Sequence, residues 1–213
     1  ELIQGEAGIV PAKKVFINEI KKLCRKNNAL IVIDEVQSGV GRTGHLYAYE
    51  KYDIKPDILC SAKGMGNGIP IGAILTTNKV AKAMQVGAHG STYGGNPLAC
   101  SVSYEVFKEV SKKSFLNSVI KKEKLFISLL NDLNKKYNCF TAVRSAGLWI
   151  GLELNSKIEN LTLQNIMSSA YDEGLMILKA NNNTLRLAPA LTISEKEIKL
   201  GVKKLEKSLS RLL

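Results

Sequence analysis

Two acidic residues directly follow an apolar run in the segment Ala29 to Gly44, which reads ALIVIDEVQSGVGRTG. The run from Leu30 to Ile33 is continuous and largely β-branched, which predicts a short strand buried on both faces. Asp34 then stands at the carboxyl end of that strand, the edge at which ligands bind in open α/β sheets. Its carboxylate is suited to Mg²⁺ in a P-loop ATPase, to a cationic cofactor, or to capping a helix or turn.

A lysine ends a second apolar run, in the segment DILCSAKG at residues 57–64, and GMGNG follows it. Small residues of this kind allow another group to approach the backbone closely. We expect Lys63 to be partly dehydrated there, which lowers the pKa of a lysine and provides the free amine that attacks an aldehyde. The alternative is an ordinary solvated lysine.

Glycines and hydroxyl residues cluster in GAHGSTYGGNP, residues 87–97. Ser91 and Thr92 come shortly before a predicted helix start at Asn96 and Pro97. Their hydroxyls and the nearby backbone N–H groups are therefore suited to an anion such as phosphate. A long turn followed by a helix cap is the alternative, because Gly, Ser and Asn favour both.

An arginine lies in the strand-like segment TLRLAPALT. Leu185 and Leu187 share one face of this strand, so Arg186 points to the other face. A guanidinium there can bind a carboxylate through two parallel hydrogen bonds. An exposed strand arginine without a ligand is the alternative.

Together these residues match the needs of one cofactor. Pyridoxal phosphate requires a lysine for its aldehyde, an acid for its ring nitrogen, donors for its phosphate and a cation for the carboxylate of an amino-acid substrate. The four parts are Lys63, Asp34, Ser91 with Thr92, and Arg186. An ATPase instead needs G-x-x-x-x-G-K-[ST], a motif that these 213 residues do not contain. The residues therefore favour pyridoxal phosphate over an ATPase.

Short apolar runs alternate with amphipathic helical patterns, which indicates an α/β fold. A helix is predicted from Pro11 to Lys26, and further strands at residues 57–64 and 69–77. From residue 97 the pattern is helix, helix, strand (AVRSAGLWIGLEL), helix, strand and helix, the last beginning at Ser194 with Glu197 closing a capping box. We expect two domains, residues 1–98 and 99–213.

Composition narrows the possible partners and setting. The net charge of +11 suits nucleic acid, but the lysines are dispersed over helical patterns such as VSKKSFLNSVIKKEK, so we expect no nucleic-acid partner. The alternative from a different functional class is a basic interaction domain without catalytic activity. No apolar stretch approaches the ~20 residues that span a membrane. The scattered cysteines, without a C-x-x-C pair, predict a cytoplasmic setting and no metal site.

Six motifs occur in order along the chain: ELIQGEAG, IVIDEVQSGVGRTG, PDILCSAKG, IPIGAIL, HGSTYGGNPLAC and LRLAPALT. In this order they closely resemble the class III pyridoxal-phosphate aminotransferases, over essentially the whole chain. The resemblance implies the aminotransferase fold of fold type I, here part of the large, mostly parallel-sheet domain (1–98) and the small carboxyl-terminal α/β domain (99–213). Within the family, the motifs are most similar to members acting on N-acetylornithine, and less similar to those acting on ornithine or 4-aminobutyrate.

The resemblance also implies residue roles. Lys63 matches the lysine that binds the cofactor covalently, Asp34 the acid that pairs with its ring nitrogen, and Gln37 the glutamine near its ring hydroxyl. Thr92 matches the threonine that reaches the cofactor phosphate of the neighbouring subunit, which implies a homodimer with shared active sites.

For the substrate, Arg186 matches the arginine that receives the α-carboxylate, and Glu6 a glutamate that in relatives can pair with it. The implied reaction moves the distal amino group of N-acetylornithine, or of succinyl-diaminopimelate, to 2-oxoglutarate, in arginine biosynthesis. Relatives carry a glycine-rich phosphate-binding segment and a ring-stacking aromatic upstream of the matching region. These 213 residues contain neither of these features and begin without methionine. We therefore expect them to be the carboxyl-terminal part of a longer protein and to be inactive alone.

Overall fold

The computed structural model describes all 213 residues, which form two compact units. The first unit contains residues 1–2 and 12–116, and the second contains residues 3–11 and 117–213. The division falls inside a long helix, whereas the sequence places a domain boundary near residue 98. The assignment of residues 1–98 and 99–213 to two domains stays a prediction.

Strands and helices alternate along the chain, as the sequence predicts for an α/β fold. The strands are β1 (Ile3–Gln4), β2 (Val10–Pro11), β3 (Val32–Asp34), β4 (Ile58–Ser61), β5 (Ala73–Thr76), β6 (Phe140–Ser145), β7 (Ile150–Leu154), β8 (Leu178–Ala180) and β9 (Thr184–Leu187). The helices are α1 (Lys14–Lys26), α2 (Asn78–Ala81), α3 (Pro97–Val110), α4 (Lys113–Tyr137), α5 (Leu163–Asp172) and α6 (Glu195–Ser210). None of the helices is both long and apolar enough to span a bilayer.

The first unit contains a three-stranded sheet in the order β3-β4-β5, in which β3 and β4 are parallel and β5 is antiparallel. β3 is shorter and more exposed than the sequence predicts. Ile33 is 4% exposed, but its neighbour Val32 is 58% exposed. The prediction of a strand buried on both faces is therefore wrong for this chain. Successive residues of a strand point to opposite faces, and only the face of Ile33 packs on the core.

Helix α1 begins at Lys14, so Pro11 belongs to β2 and not to the first turn of the helix. The helix buries Ile17, whereas Phe16 and Leu23 of its apolar stripe are exposed. The helix is therefore amphipathic, as predicted, but Ile17 is the one residue of its apolar side that is buried.

The start of α3 is confirmed. The side chain of Asn96 accepts a hydrogen bond from the Ala99 N–H at 2.9 Å, and Pro97 is the first helical residue. The helix buries Ala99, Ser103 and Val110, whereas Leu98 in its first turn is exposed.

The second unit contains an antiparallel sheet in the order β6-β7-β9-β8. The segment AVRSAGLWIGLEL, predicted as strand, supplies two strands joined by a tight turn. The Ala146 N–H donates to the Trp149 carbonyl at 2.9 Å, and Gly147 has a φ of +63° there. This left-handed residue, which glycine permits, reverses the chain between β6 and β7.

The remaining helical predictions for this unit hold. Ser194 and Glu197 form the capping box that begins α6. The apolar residues of α6 at helical spacing are buried: Ile198, Val202, Leu205 and Leu209. α5 ends before Gly174, whose φ is +66°. β1 and β2 form a separate antiparallel ribbon in the same unit, joined by a turn through residues 5–9.

Candidate active site

Asp34 and Lys63 lie at the same edge of the sheet in the first unit. β3 and β4 are parallel, with Asp34 opposite Cys60. The pairing continues one residue further, because the Glu35 N–H donates to the Cys60 carbonyl at 2.9 Å. Lys63 follows Ser61, the last residue of β4, after one residue. Since the carboxyl ends of parallel strands meet at one edge, the fold brings the acid and the lysine to the edge where ligands bind.

Lys63 adopts an unusual backbone conformation. Its φ of +48° lies in the left-handed region, at the start of the short 3₁₀ turn Lys63–Met65. For a residue other than glycine this conformation costs roughly 1–3 kcal/mol, and such residues cluster at functional sites. The side chain is exposed, so the expected partial dehydration is wrong for this chain. Glycines follow the lysine and have no side chains to cover it.

The turn after Lys63 depends on one glycine in particular. A Cβ atom at Gly66 would lie 1.9 Å from the carbonyl oxygen of Ile69, much too close for any side chain. A Cβ atom at Gly64 would lie 3.5 Å from the Cβ of Val40, an ordinary contact. The backbone can therefore follow this path only with glycine at position 66.

Asp34 is exposed and takes part in a local turn. Its Oδ1 accepts a hydrogen bond from the Val36 N–H at 2.8 Å. The turn interpretation of Asp34 is therefore correct as a description of local structure. Because this bond uses one carboxylate oxygen, it is compatible with a second role for the other oxygen.

Glu35, next in the chain, is fully buried and is not among the residues that the sequence motifs mark as candidates. Its carboxylate accepts hydrogen bonds from the Ser38 hydroxyl at 2.7 Å, the Ala48 N–H at 3.0 Å and the Tyr49 N–H at 2.7 Å. Burial raises the pKa of the Glu35 carboxyl above its ordinary value, and these hydrogen bonds oppose the shift. Glu35 thus ties the segment that follows Asp34 back onto residues 48–49.

A further hydrogen bond, besides the three of Glu35, holds the loop at residues 35–49. The Tyr47 hydroxyl and the Ser61 hydroxyl are 3.0 Å apart, and both residues are buried. Gly39 packs against Tyr47, since a Cβ atom there would lie 2.8 Å from the ring. Gln37, a predicted cofactor residue, is half-buried within this segment.

Ser91 and Thr92 lie in an exposed glycine-rich segment before α3. The Ser91 hydroxyl accepts a hydrogen bond from the Gly94 N–H at 2.8 Å. The alternative interpretation, a turn followed by a helix cap, therefore describes the local structure here. Both side chains remain accessible at the surface of the unit.

Arg186 and Glu6, both in the second unit, form an ion pair with an Nη1 to Oε1 distance of 2.9 Å. The arginine side chain is 19% exposed, whereas that of Glu6 is 73% exposed. Leu185 and Leu187 are buried on the other face of β9, as the alternation predicts. The structure thus brings together Asp34 with Lys63 in one unit, and Glu6 with Arg186 in the other.

Comparison with known proteins identifies the family of this chain. The family model for class III aminotransferases matches residues 1–209, and the chain belongs to this family. Over all 213 residues it is 49% identical to an acetylornithine/succinyldiaminopimelate aminotransferase from Buchnera aphidicola and 47% identical to an acetylornithine aminotransferase from Vibrio parahaemolyticus. It covers 52% and 53% of these two proteins, so the chain spans about half the length of the curated relatives it matches.

Solved structures show the same fold. The N-acetylornithine aminotransferase from Stenotrophomonas maltophilia matches with a TM-score of 0.89 and 34% identity, over 98% of this chain and 54% of that chain. The acetylornithine aminotransferase from Elizabethkingia anophelis matches with a TM-score of 0.90 and 36% identity, over 99% and 53% respectively. The fold is therefore that of pyridoxal-phosphate aminotransferases of fold type I, as the sequence predicts.

Proposed function

We propose that this chain forms part of a pyridoxal-phosphate-dependent aminotransferase that moves the distal amino group of N-acetylornithine to 2-oxoglutarate, a step of arginine biosynthesis. The observation that carries the proposal is the position of Lys63, in a strained conformation, at the same sheet edge as Asp34. The names of the relatives support this amino donor. One name also includes succinyldiaminopimelate, which supports that compound as a second donor.

The residues present fit the cofactor. Bound pyridoxal phosphate supplies a cationic ring that accepts the electron pair released when a substrate C–H bond breaks. The exposed amine of Lys63 is accessible to its aldehyde, and the carboxylate of Asp34 has one oxygen outside the Val36 bond for its ring nitrogen. The exposed hydroxyls of Ser91 and Thr92 are suitable donors to its phosphate.

Each residue then has a distinct task. Lys63 would hold the cofactor covalently, and its amine, when free, would move the proton from the substrate carbon. Asp34 would keep the ring nitrogen protonated, and Gln37 would contact the cofactor at its ring hydroxyl. Thr92 acts on the phosphate in the neighbouring subunit, so we propose a homodimer. We also propose that the enzyme is cytoplasmic, because its cysteines are scattered and form no C-x-x-C pair.

Such an enzyme must bind two unlike substrates in one site, and Glu6 and Arg186 concern how it distinguishes them. Glutamate binds through its α-carboxylate, whereas the amino donor must present its distal amine to the same ring. A permanently available guanidinium would attract the donor in the wrong orientation. We propose that Glu6 pairs with Arg186 while the donor is bound and releases it when glutamate or 2-oxoglutarate enters. The observed pair supports this masking role.

Chemical labelling tests the assignment of the lysine. Borohydride reduction of the full-length, cofactor-loaded protein that contains this chain, followed by peptide mass mapping, should place a pyridoxyl label on Lys63. The control variant Lys55→Arg changes another exposed lysine of the same unit, and in it Lys63 should still carry the label. A label on a different lysine would contradict the proposal. Comparing kcat/KM for N-acetylornithine, succinyl-diaminopimelate and ornithine then identifies the preferred donor.

A further inference from the structure

Two arginines flank a glycine in one row across the sheet of the second unit. Gly151 of β7 is opposite Arg144 of β6 on one side and opposite Arg186 of β9 on the other. Residues directly opposite each other in a sheet point to the same face. Because glycine has no side chain, the row has a gap between the two arginines.

The turn that carries Glu6 lies in this gap. A Cβ atom at Gly151 would be 2.5 Å from the carbonyl oxygen of Gly8, so the backbone of the turn rests directly on the glycine. The Nε of Arg144 donates a hydrogen bond to the same carbonyl at 3.0 Å. The arginine on one side of the gap thus holds the backbone of the turn, while the arginine on the other side pairs with Glu6.

The groups that hold the turn are themselves fixed. Arg144 also pairs with Glu153, and this hydrogen bond lowers the pKa of the Glu153 carboxyl. The side-chain amide of Asn181 donates to the Ala7 carbonyl at 2.8 Å. The carbonyls of Ala7 and Gly8, the two residues after Glu6, are therefore bound by side chains from the turn between β8 and β9 and from β6.

One residue of the turn has a backbone conformation that its side chain disfavours. Gly8 has a φ of +110°, and the next residue, Ile9, has a φ of +52°. A left-handed conformation is rare for a β-branched residue and persists only where the surrounding structure imposes it. Ile9 is fully buried, and its neighbours are held as described above. The contacts with the sheet therefore determine where the turn lies.

We propose that Arg144 is a positioning residue that holds Glu6 against Arg186, and so sets how well the site discriminates between a dicarboxylate and the amino donor. Gly151 provides the space that lets the turn lie between the two arginines. This inference rests on the masking role of Glu6 proposed above. Arg144 itself contacts neither substrate nor cofactor in this role, because its guanidinium is used by Gly8 and Glu153.

Equilibrium binding of glutarate tests the inference without turnover. Glutarate is a dicarboxylate without an amino group, so its affinity for the full-length, cofactor-loaded protein, measured by calorimetry, reports how accessible Arg186 is. Glu6→Ala should tighten glutarate binding about tenfold. Arg144→Met should tighten it about threefold, since one net hydrogen bond corresponds to a two- to tenfold change. The double variant should match Glu6→Ala, because Arg144 acts only through Glu6.

Two further variants control for disruption of the fold. Arg211→Met removes a different arginine of the second unit that pairs with a glutamate, Glu173, and it should leave glutarate binding unchanged. Arg144→Lys keeps a cation beside Glu153 but lacks the Nε donor, so it should shift glutarate binding in the same direction as Arg144→Met. If Arg144→Met does not fold, this variant carries the test.

The possible outcomes separate the two proposals. Tighter binding in Glu6→Ala with no change in either Arg144 variant would overturn the positioning role and leave the masking role intact. Unchanged binding in Glu6→Ala would overturn both. A change of equal size for Arg144→Met in the presence and absence of Glu6 would show that Arg144 acts independently, and would also overturn the inference.

Discussion

The indole ring of Trp149 lies against the guanidinium of Arg186, with 5.5 Å between the arginine Cζ and the ring centroid. Trp149 is 1% exposed, so its position is fixed by the core of the second unit. The aromatic face attracts the cation and restricts its orientation. Arg186 is therefore oriented by Trp149 from one side and by Glu6 through an ion pair.

Replacing Trp149 should weaken carboxylate binding. We expect Trp149→Leu to reduce glutarate affinity about two- to fivefold, because a cation–π contact of this kind is worth roughly 0.5–1 kcal/mol. Trp149→Phe keeps an aromatic face and should lose less. Calorimetry on cofactor-loaded protein, with a thermal melt to confirm folding, measures the effect. Equal affinities for the Leu and Phe variants would contradict the proposed contact.

Removing the charge of Asp34 should abolish most of the activity without unfolding the protein. Asp34→Asn retains an oxygen that can accept from the Val36 N–H, so the turn is preserved. Turnover should fall by roughly a hundredfold or more, as expected when a group that controls protonation in the reaction is lost. The melting temperature should change little, since the residue is exposed. Near-normal turnover would exclude Asp34 as the partner of the ring nitrogen.

Removing Glu6 should change the balance between the two half-reactions. In Glu6→Ala the guanidinium of Arg186 is permanently accessible, so the half-reaction with glutamate should gain rate relative to that with N-acetylornithine. Stopped-flow absorbance of the cofactor measures both rates. The same ratio in variant and parent protein would mean that Glu6 is only a structural acid.

Glu35 should make stability depend on pH. Because burial raises its pKa in the folded state, the folded protein binds a proton more readily than the unfolded chain. Its contribution to stability therefore falls as the pH rises from the unfolded pKa of 4.5 towards the raised folded value. Glu35→Gln should destabilise by roughly 1–3 kcal/mol, because an amide cannot accept from every donor around it. Urea unfolding should show this difference narrowing as the pH rises, and a constant difference would contradict the raised pKa.

Two glycines that follow Lys63 in the chain provide a test variant, at Gly66, and a matched control, at Gly64. Gly66→Ala should lower the melting temperature by roughly 2–10 °C, which corresponds to 1–3 kcal/mol of steric strain. It should also reduce pyridoxyl labelling of Lys63, because the turn must move. Gly64→Ala introduces only an ordinary contact with Val40 and should fold normally. Equal melting temperatures for the two variants would contradict the tight turn at Gly66.

Local signals in the sequence identify many elements and candidate residues. The capping box at Ser194 and the cap at Asn96 are confirmed because their hydrogen bonds form within a few residues. The exposure of Val32 could not be predicted, because it depends on which other elements cover the sheet. Glu35 offers only a weak signal, an acid between apolar and glycine-rich neighbours, and its three donors come from the folded loop.

The exposed sheet of the first unit has a consequence for handling the protein. β3 and β5 are its outer strands, and each presents an unpaired backbone edge beside exposed apolar side chains such as Val32, Ile74 and Leu75. Edges of this kind recruit other extended segments through main-chain hydrogen bonds. We therefore expect these 213 residues, expressed by themselves, to aggregate through strand addition, and charged substitutions at Val32 and Ile74 to improve their solubility.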